Sequence, residues 1–151
     1  MSIIPQPNLI AVAPLAGYRL HLRWREHGED QVDLSSWIEQ WGSTNNPFLE
    51  PAFFAAVRVG EYGWSVVWSE DIAIDSEHLY RLARYQAQES LAPETLRAWR
   101  ARHGMSRDEL AQLLGISDLM VQSYEEGRYM IPETVLLACK KHDAPQGEQA
   151  A

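Results

Sequence analysis

The spacing of apolar residues changes midway along the chain. From Tyr18 to Arg25 apolar and polar residues alternate strictly. This places Tyr18, Leu20, Leu22 and Trp24 on one face of a strand, with His21 and three arginines on the other. Ala16-Gly17 reads as a turn from an earlier strand, Leu9 to Ala13. His27-Gly28-Glu29-Asp30 reads as a turn into a short strand around Gln31 to Leu34. Val57 to Glu61 and Trp64 to Trp68 flank Tyr62-Gly63, the pattern of a second hairpin. Ser76 stands where a helix N-cap belongs, ahead of Leu79, Leu82 and Ala83 at helical spacing. Residues 1–86 are therefore expected to form an α+β domain with a small antiparallel sheet.

Residues 87–91 carry little hydrophobic signal and are expected to be a linker or the end of a helix leaving the first domain. From residue 92 the spacing becomes helical. Pro93 opens a first helix, with Leu96 and Trp99 on its inner stripe, and Gly104 closes it. Ser106 and Glu109 have capping-box spacing ahead of a second helix, whose buried stripe is Leu110, Leu113 and Leu114. Ala111 is small where a following helix crosses closely. Gly115 ends this helix, Ile116 plugs the turn and Ser117 caps a third helix that turns Met120, Val121 and Tyr124 inward. Gly127 stops it, and Pro132 starts a fourth through Val135, Leu136 and Cys139. Residues 92–144 thus read as an all-α domain, and residues 145–151 as a polar, disordered tail.

The second and third helices are only two to three turns long, and three or four residues around a glycine separate them. That spacing crosses two helices steeply. The third helix keeps a polar outer stripe of Asp118, Gln122, Ser123 and Glu126, interrupted by Leu119. A net charge of −8 looks wrong for a nucleic-acid binder. Its distribution matters more. Residues 1–90 hold 6 Lys/Arg against 12 Asp/Glu, whereas residues 91–144 hold 7 against 8. The second part is close to neutral, so phosphate neutralisation by one copy is modest.

The ordered set Leu96, Arg100, Gly104-Met105-Ser106, Glu109-Leu110-Ala111, Leu114-Gly115-Ile116-Ser117, Val121, Tyr124-Glu125, Gly127-Arg128 and Pro132 resembles the Xre/Cro/C1 family of lambda-repressor-like helix-turn-helix domains. The resemblance covers about 50 of the 151 residues. It implies double-stranded DNA as partner, with the third helix in the major groove and the start of the second helix on the phosphate backbone. Arg107 stands where the family usually has a phosphate-binding glutamine. Ser117, Asp118, Leu119, Gln122 and Ser123 take the groove-facing positions, and Arg128 matches a backbone-contact loop. Gln122 suits adenine, and Asp118 suits the cytosine amine. Arg100 and Glu125 match a structural ion pair joining the first and third helices. The chain departs from the family in Asp118 and Leu119, which replace residues that are often polar amides or basic.

In the first half, Phe48-Leu49, Pro51, Phe53, Val57-Arg58-Val59, Trp64-Ser65-Val66-Val67-Trp68, Asp71-Ile72, Asp75 and Leu79-Tyr80 resemble a small bacterial domain family of unknown function, catalogued under the number 2442. Trp68-Ser69-Glu70-Asp71 replaces the usual asparagine-glycine turn of that family, so the strand is expected to turn differently. The resemblance implies a fold and no chemistry. Five of the six tryptophans fall in this half. They read as core, with Trp37 and Trp41 as the alternative interface candidates.

No cofactor, metal or catalytic centre is expected. His21, His27, His78, His103 and His142 lack metal-ligand spacing. The single cysteine, Cys139, lies on an inner helical stripe and excludes an internal disulfide. The apolar runs are too short to span a membrane. Met1 to Leu9 lacks the basic stretch of a secretory signal and is broken by Pro5 and Pro7. The expected protein is a cytoplasmic, sequence-specific transcriptional regulator that binds double-stranded DNA as a homodimer on paired half-sites. The alternative is a protein-interaction module, such as an antitoxin whose N-terminal domain binds a toxin or other partner.

Overall fold

The alternation from Arg19 to Trp24 becomes the central strand of a three-stranded antiparallel meander: β1 (Leu9–Leu15), β2 (Arg19–Trp24) and β3 (Glu29–Asp33). Val12 pairs with Leu22, and Leu20 with Val32, so the apolar sets of all three strands share one face. Leu20, Leu22, Trp24 and Val32 are buried there, while Arg19, Arg23 and Arg25 stay exposed. The computed structural model describes residues 7–144. The tail expected to be disordered, 145–151, lies outside the described residues, as do the first six residues of the segment considered as a secretory signal. The chain divides after Gln86 into two units, each with its own core.

After β3 the first unit continues through short helices α1 (Ser35–Ile38) and α2 (Pro51–Ala55) to a second antiparallel meander. Its strands are β4 (Arg58–Val59), β5 (Ser65–Val67) and β6 (Ala73–Asp75), and helix α3 (Ser76–Gln86) follows. The α+β architecture agrees with the sequence reading, but with two small sheets instead of one. The short helices and β6 leave no periodic signal, since each spans five residues or fewer.

Phe48, fully buried, is the hub of this core. Its ring touches those of Trp37, Trp41, Phe53, Phe54 and Trp68 at centroid distances of 5.1–6.2 Å, mostly edge to face. The buried Asn46 side chain holds the loop that delivers it, accepting from Phe48 N and donating to the carbonyls of Ile38 and Gly42. Trp37 and Trp41 pack on this hub and on each other, half-buried. Trp64 is the outlier at 49% exposed. Helix α3 is tied to β3 by Arg84, which pairs with Asp30, and by Gln86, whose amide exchanges hydrogen bonds with the Asp33 backbone at 2.7 and 2.8 Å.

Three local expectations are corrected. Tyr18 sits in the β1–β2 turn with a left-handed φ of 58°, not in the strand. Its ring still faces the core because its hydroxyl donates to the Phe48 carbonyl at 2.9 Å. Asp75, not Ser76, caps α3: its carboxylate accepts from His78 N at 2.8 Å, while Ser76 is buried. The hairpin around Tyr62-Gly63 has shorter strands than its sequence suggests. A 3₁₀ turn, Glu61–Gly63, fills the loop, with φ of 57° at Tyr62 and 77° at Gly63. A Cβ at Gly63 would stand 2.3 Å from the Leu9 carbonyl oxygen, so only glycine lets the loop lie against β1. After Trp68 the chain makes a tight turn, with Ile72 N donating to Ser69 O.

Among the described residues the second unit holds four helices: α4 (Pro93–Arg102), α5 (Arg107–Leu114), α6 (Asp118–Glu125) and α7 (Glu133–Asp143). Leu96, Trp99, Leu110, Ala111, Val121, Tyr124, Ile131, Val135 and Cys139 form its core. Leu113, expected inside, is 41% exposed; the buried residues of α5 are Leu110 and Ala111. Ser90, within the segment read as a linker, is buried and donates to the Ile131 carbonyl at 2.6 Å. Burial, with the Asp143 charge, pushes the Cys139 thiol up to about 11, which fits a packing role. The ends of α4 and α7 meet where Asp143 accepts from Trp99 Nε1 at 2.9 Å and lies 2.8 Å from His103 Nε2. No helix among the described residues is long and apolar enough to cross a membrane.

Phe48→Ala is expected to cost about 3–5 kcal/mol, read as a shift in the denaturant midpoint of the first unit's tryptophan fluorescence. The Trp99 hydrogen bond, foremost, with His103 and Arg102, holds the Asp143 carboxyl below its ordinary value of 3.8. Its stabilising effect is therefore complete above about pH 4 and disappears as pH falls through the lowered native value. The melting temperatures of wild type and Asp143→Asn should differ at pH 7 and converge as pH drops below 3.8.

Candidate nucleic-acid interface

Helices α5 and α6 are joined by Gly115, Ile116 and Ser117. Gly115 has a left-handed φ of 71°, and Ile116 N reaches back to the Ala111 carbonyl at 3.0 Å. This glycine-dependent cap stops α5 and turns the chain sharply. Both helices then start on side-chain caps. Ser106 and Glu109 form the reciprocal box on α5, and Ser117 Oγ accepts from Met120 N at 3.1 Å on α6. Val121 and Tyr124 anchor α6 in the core, which leaves its other side free to face outward.

Glu125, at the end of α6, is 1% exposed. Arg100 on α4 grips it with two bonds, Nε to Oε2 at 2.7 Å and Nη2 to Oε1 at 3.0 Å. Hydrogen bonding to Glu125, opposed by burial, raises the pKa of Arg100 above its ordinary value. Arg107 Nε, on α5, approaches the same carboxylate at 3.3 Å, and Arg97 Nη1 donates to the Glu125 backbone carbonyl. One buried carboxylate thereby links α4, α5 and α6. The Arg100–Glu125 pair is the one the sequence motif contains; the approach of Arg107 is not visible from spacing.

The remaining sequence-predicted positions cluster around α6. Ser117, Asp118 and Leu119 are exposed at its start, and Leu119 is 67% exposed although apolar. Gln122 and Ser123 are half-buried one turn further on. Asp118 accepts from Leu119 N at 2.9 Å, using one carboxylate oxygen at the helix N-terminus. Arg107 is 45% exposed and Arg128 69% exposed at their side chains. Neither arginine is solitary, for Arg128 Nε lies 3.0 Å from Glu126 Oε2. Glu126 also accepts from Gln122 Nε2 at 2.9 Å. That bond foremost, together with the charges of Arg128 and Arg107, holds the Glu126 carboxyl below its usual range, against the opposing effect of burial. Glu126 was legible only as part of a polar stripe; its i,i+4 spacing from Gln122 is the signal that marks it.

Removing one partner of the buried pair should expose the difference between frame and face. Glu125→Ala is expected to cost about 3–5 kcal/mol, because it strands Arg100 against the core. Arg107→Ala should cost about 1 kcal/mol or less, since that guanidinium is largely solvated. Urea unfolding followed by circular dichroism measures both.

The sequence matches a family described as "Helix-turn-helix domain" over residues 94–151. No curated protein matches the chain. A crystal structure of the presumed DNA-binding protein NE0471 from Nitrosomonas europaea is similar over 97% of this chain and 94% of its own, with 32% identity and a TM-score of 0.56. At that identity over nearly the whole of both chains, this protein belongs to the same family as the Nitrosomonas europaea protein and carries a helix-turn-helix domain behind an α+β unit.

Proposed function

We propose that the protein binds double-stranded DNA through α6 and acts as a sequence-specific transcriptional regulator of the Xre/Cro/C1 type. The observation that carries this reading is the outer face of α6. Leu119 is two-thirds exposed on a helix whose other apolar residues turn inward, beside the exposed polar Ser117 and Asp118. A leucine held in water at the first turn of a short helix is suited to a thymine methyl, and Asp118 to the cytosine amine. Ser123 and Gln122 supply further polar contacts, with Arg107 and Arg128 at the phosphates. The DNA-binding role presumed for the Nitrosomonas europaea relative accords with this reading.

Single-copy binding is weak in this proposal. Both phosphate arginines already face carboxylates, so DNA competes with Glu125 and Glu126 for them. A homodimer on half-sites about one helical turn apart doubles the contacts. A cytoplasmic location accords with this role. The first unit, proposed as a member of the domain family numbered 2442, is assigned the dimer or partner contact. Tyr62, 81% exposed, and Trp64 favour that assignment, because large exposed aromatics are the side chains that dominate protein interfaces. An antitoxin-like role, with this unit on a protein partner, is compatible with DNA binding by the other.

Arg107→Ala and Arg128→Ala should each weaken DNA retention for all sequences. Each should also reduce the slope of log affinity against log salt by about one. Fluorescence anisotropy across a salt series measures this; unchanged affinity in both variants removes α6 from DNA and leaves the protein-partner reading.

A further inference from the structure

Gln122 is placed to read a base, but it is not free to present its amide either way round. Its nitrogen donates to Glu126 Oε1 at 2.9 Å, and the other oxygen of the same carboxylate lies 3.0 Å from Arg128 Nε. A carboxylate only accepts. Turning the amide over would set the Gln122 oxygen against Glu126 Oε1, acceptor against acceptor. The Arg128 contact holds the carboxylate from its other side and restrains it from swinging to follow a turned amide. The nitrogen is thus anchored toward the C-terminal end of α6 and the oxygen is left on the opposite side.

From this geometry we infer that Glu126 is a positioning residue that sets the base preference of Gln122; the inference rests on the DNA-binding reading of α6. The Gln122 oxygen accepts a hydrogen bond from a base amine, N6 of adenine or N4 of cytosine. Guanine and thymine offer only acceptors at the corresponding major-groove edge and are disfavoured. Glu126 has a second, opposite effect. As an exposed anion bound to Arg128, it repels nearby phosphates and withholds a cation from them. The same carboxylate therefore lowers affinity for every sequence while sharpening the choice at one position.

These two effects separate under mutation. Selection from a random duplex pool, followed by anisotropy with the selected duplex and its single-base variants, is performed on the full-length wild type, Glu126→Ala, Gln122→Ala and the double variant. Glu126→Ala should bind all duplexes more tightly, yet lose about tenfold in discrimination between amine-bearing bases and guanine or thymine at one position. In the Gln122→Ala background the same change should raise affinity without altering any preference. A folding defect lowers both quantities and so does not mimic this result. If the wild type enriches a sequence and Glu126→Ala keeps its preferences at every position, or if the double variant loses the same preference beyond Gln122→Ala, the positioning role is overturned while DNA binding stands. Enrichment of no sequence by a folded wild type overturns the DNA reading itself, and the role of Glu126 with it.

Discussion

A single buried carboxylate organises the helix-turn-helix unit. Glu125 is almost fully enclosed, and a charge there is tolerable only because Arg100 satisfies both of its oxygens while Arg107 adds a third approach. The three helices that meet at this group cannot shift without stranding it. Arg97 reinforces the arrangement through the Glu125 carbonyl. The roll of α6, and with it the direction in which Leu119 and Gln122 point, follows from where this carboxylate must be. Apolar packing by Val121 and Tyr124 is compatible with small rotations of the helix; a bidentate bond is far less so.

The neighbouring glutamates divide two tasks between them. Glu125 faces inward and belongs to the frame, and Glu126 faces outward and belongs to the surface. Both lie against arginines that the proposed function assigns to phosphates. This accounts for a nearly neutral unit on a helix-turn-helix frame. Its cations are held in fixed positions against carboxylates. Under the proposed function, those partners would suppress indiscriminate attraction to nucleic acid and shift the balance toward contacts made at base edges.

The first unit is organised by aromatic packing around Phe48 rather than by charge. The hub lies in a stretch with little periodicity, and its position depends on Asn46 bonding to Ile38 and Gly42. That is why the sequence pattern located the β1–β3 meander well and the intervening short helices not at all. Strand alternation is a local signal, visible in eight residues. A three-residue strand such as β6 has no period to detect and exists because β5 pairs with it. The Tyr18 and Leu113 corrections also reflect tertiary packing. Tyr18 stays against the core through a long-range hydrogen bond despite leaving the strand, whereas the side of α5 that packs inward carries Leu110 and Ala111 and leaves Leu113 partly in solvent.

What the amino-acid order determined alone is the set of features governed by neighbours within about four residues. These include the alternation of β2, the Ser106–Glu109 box, the Ser117 cap and the stops at Gly104, Gly115 and Gly127. The positions for α6 to present were legible in the same way, because helix period sorts inner from outer residues. Tertiary structure decided which charges meet. Arg107 and Glu125 are 18 residues apart, and Ser90 and Ile131 are 41 apart. Such pairs form only once packed helices bring them together, and spacing along the chain carries no record of that distance.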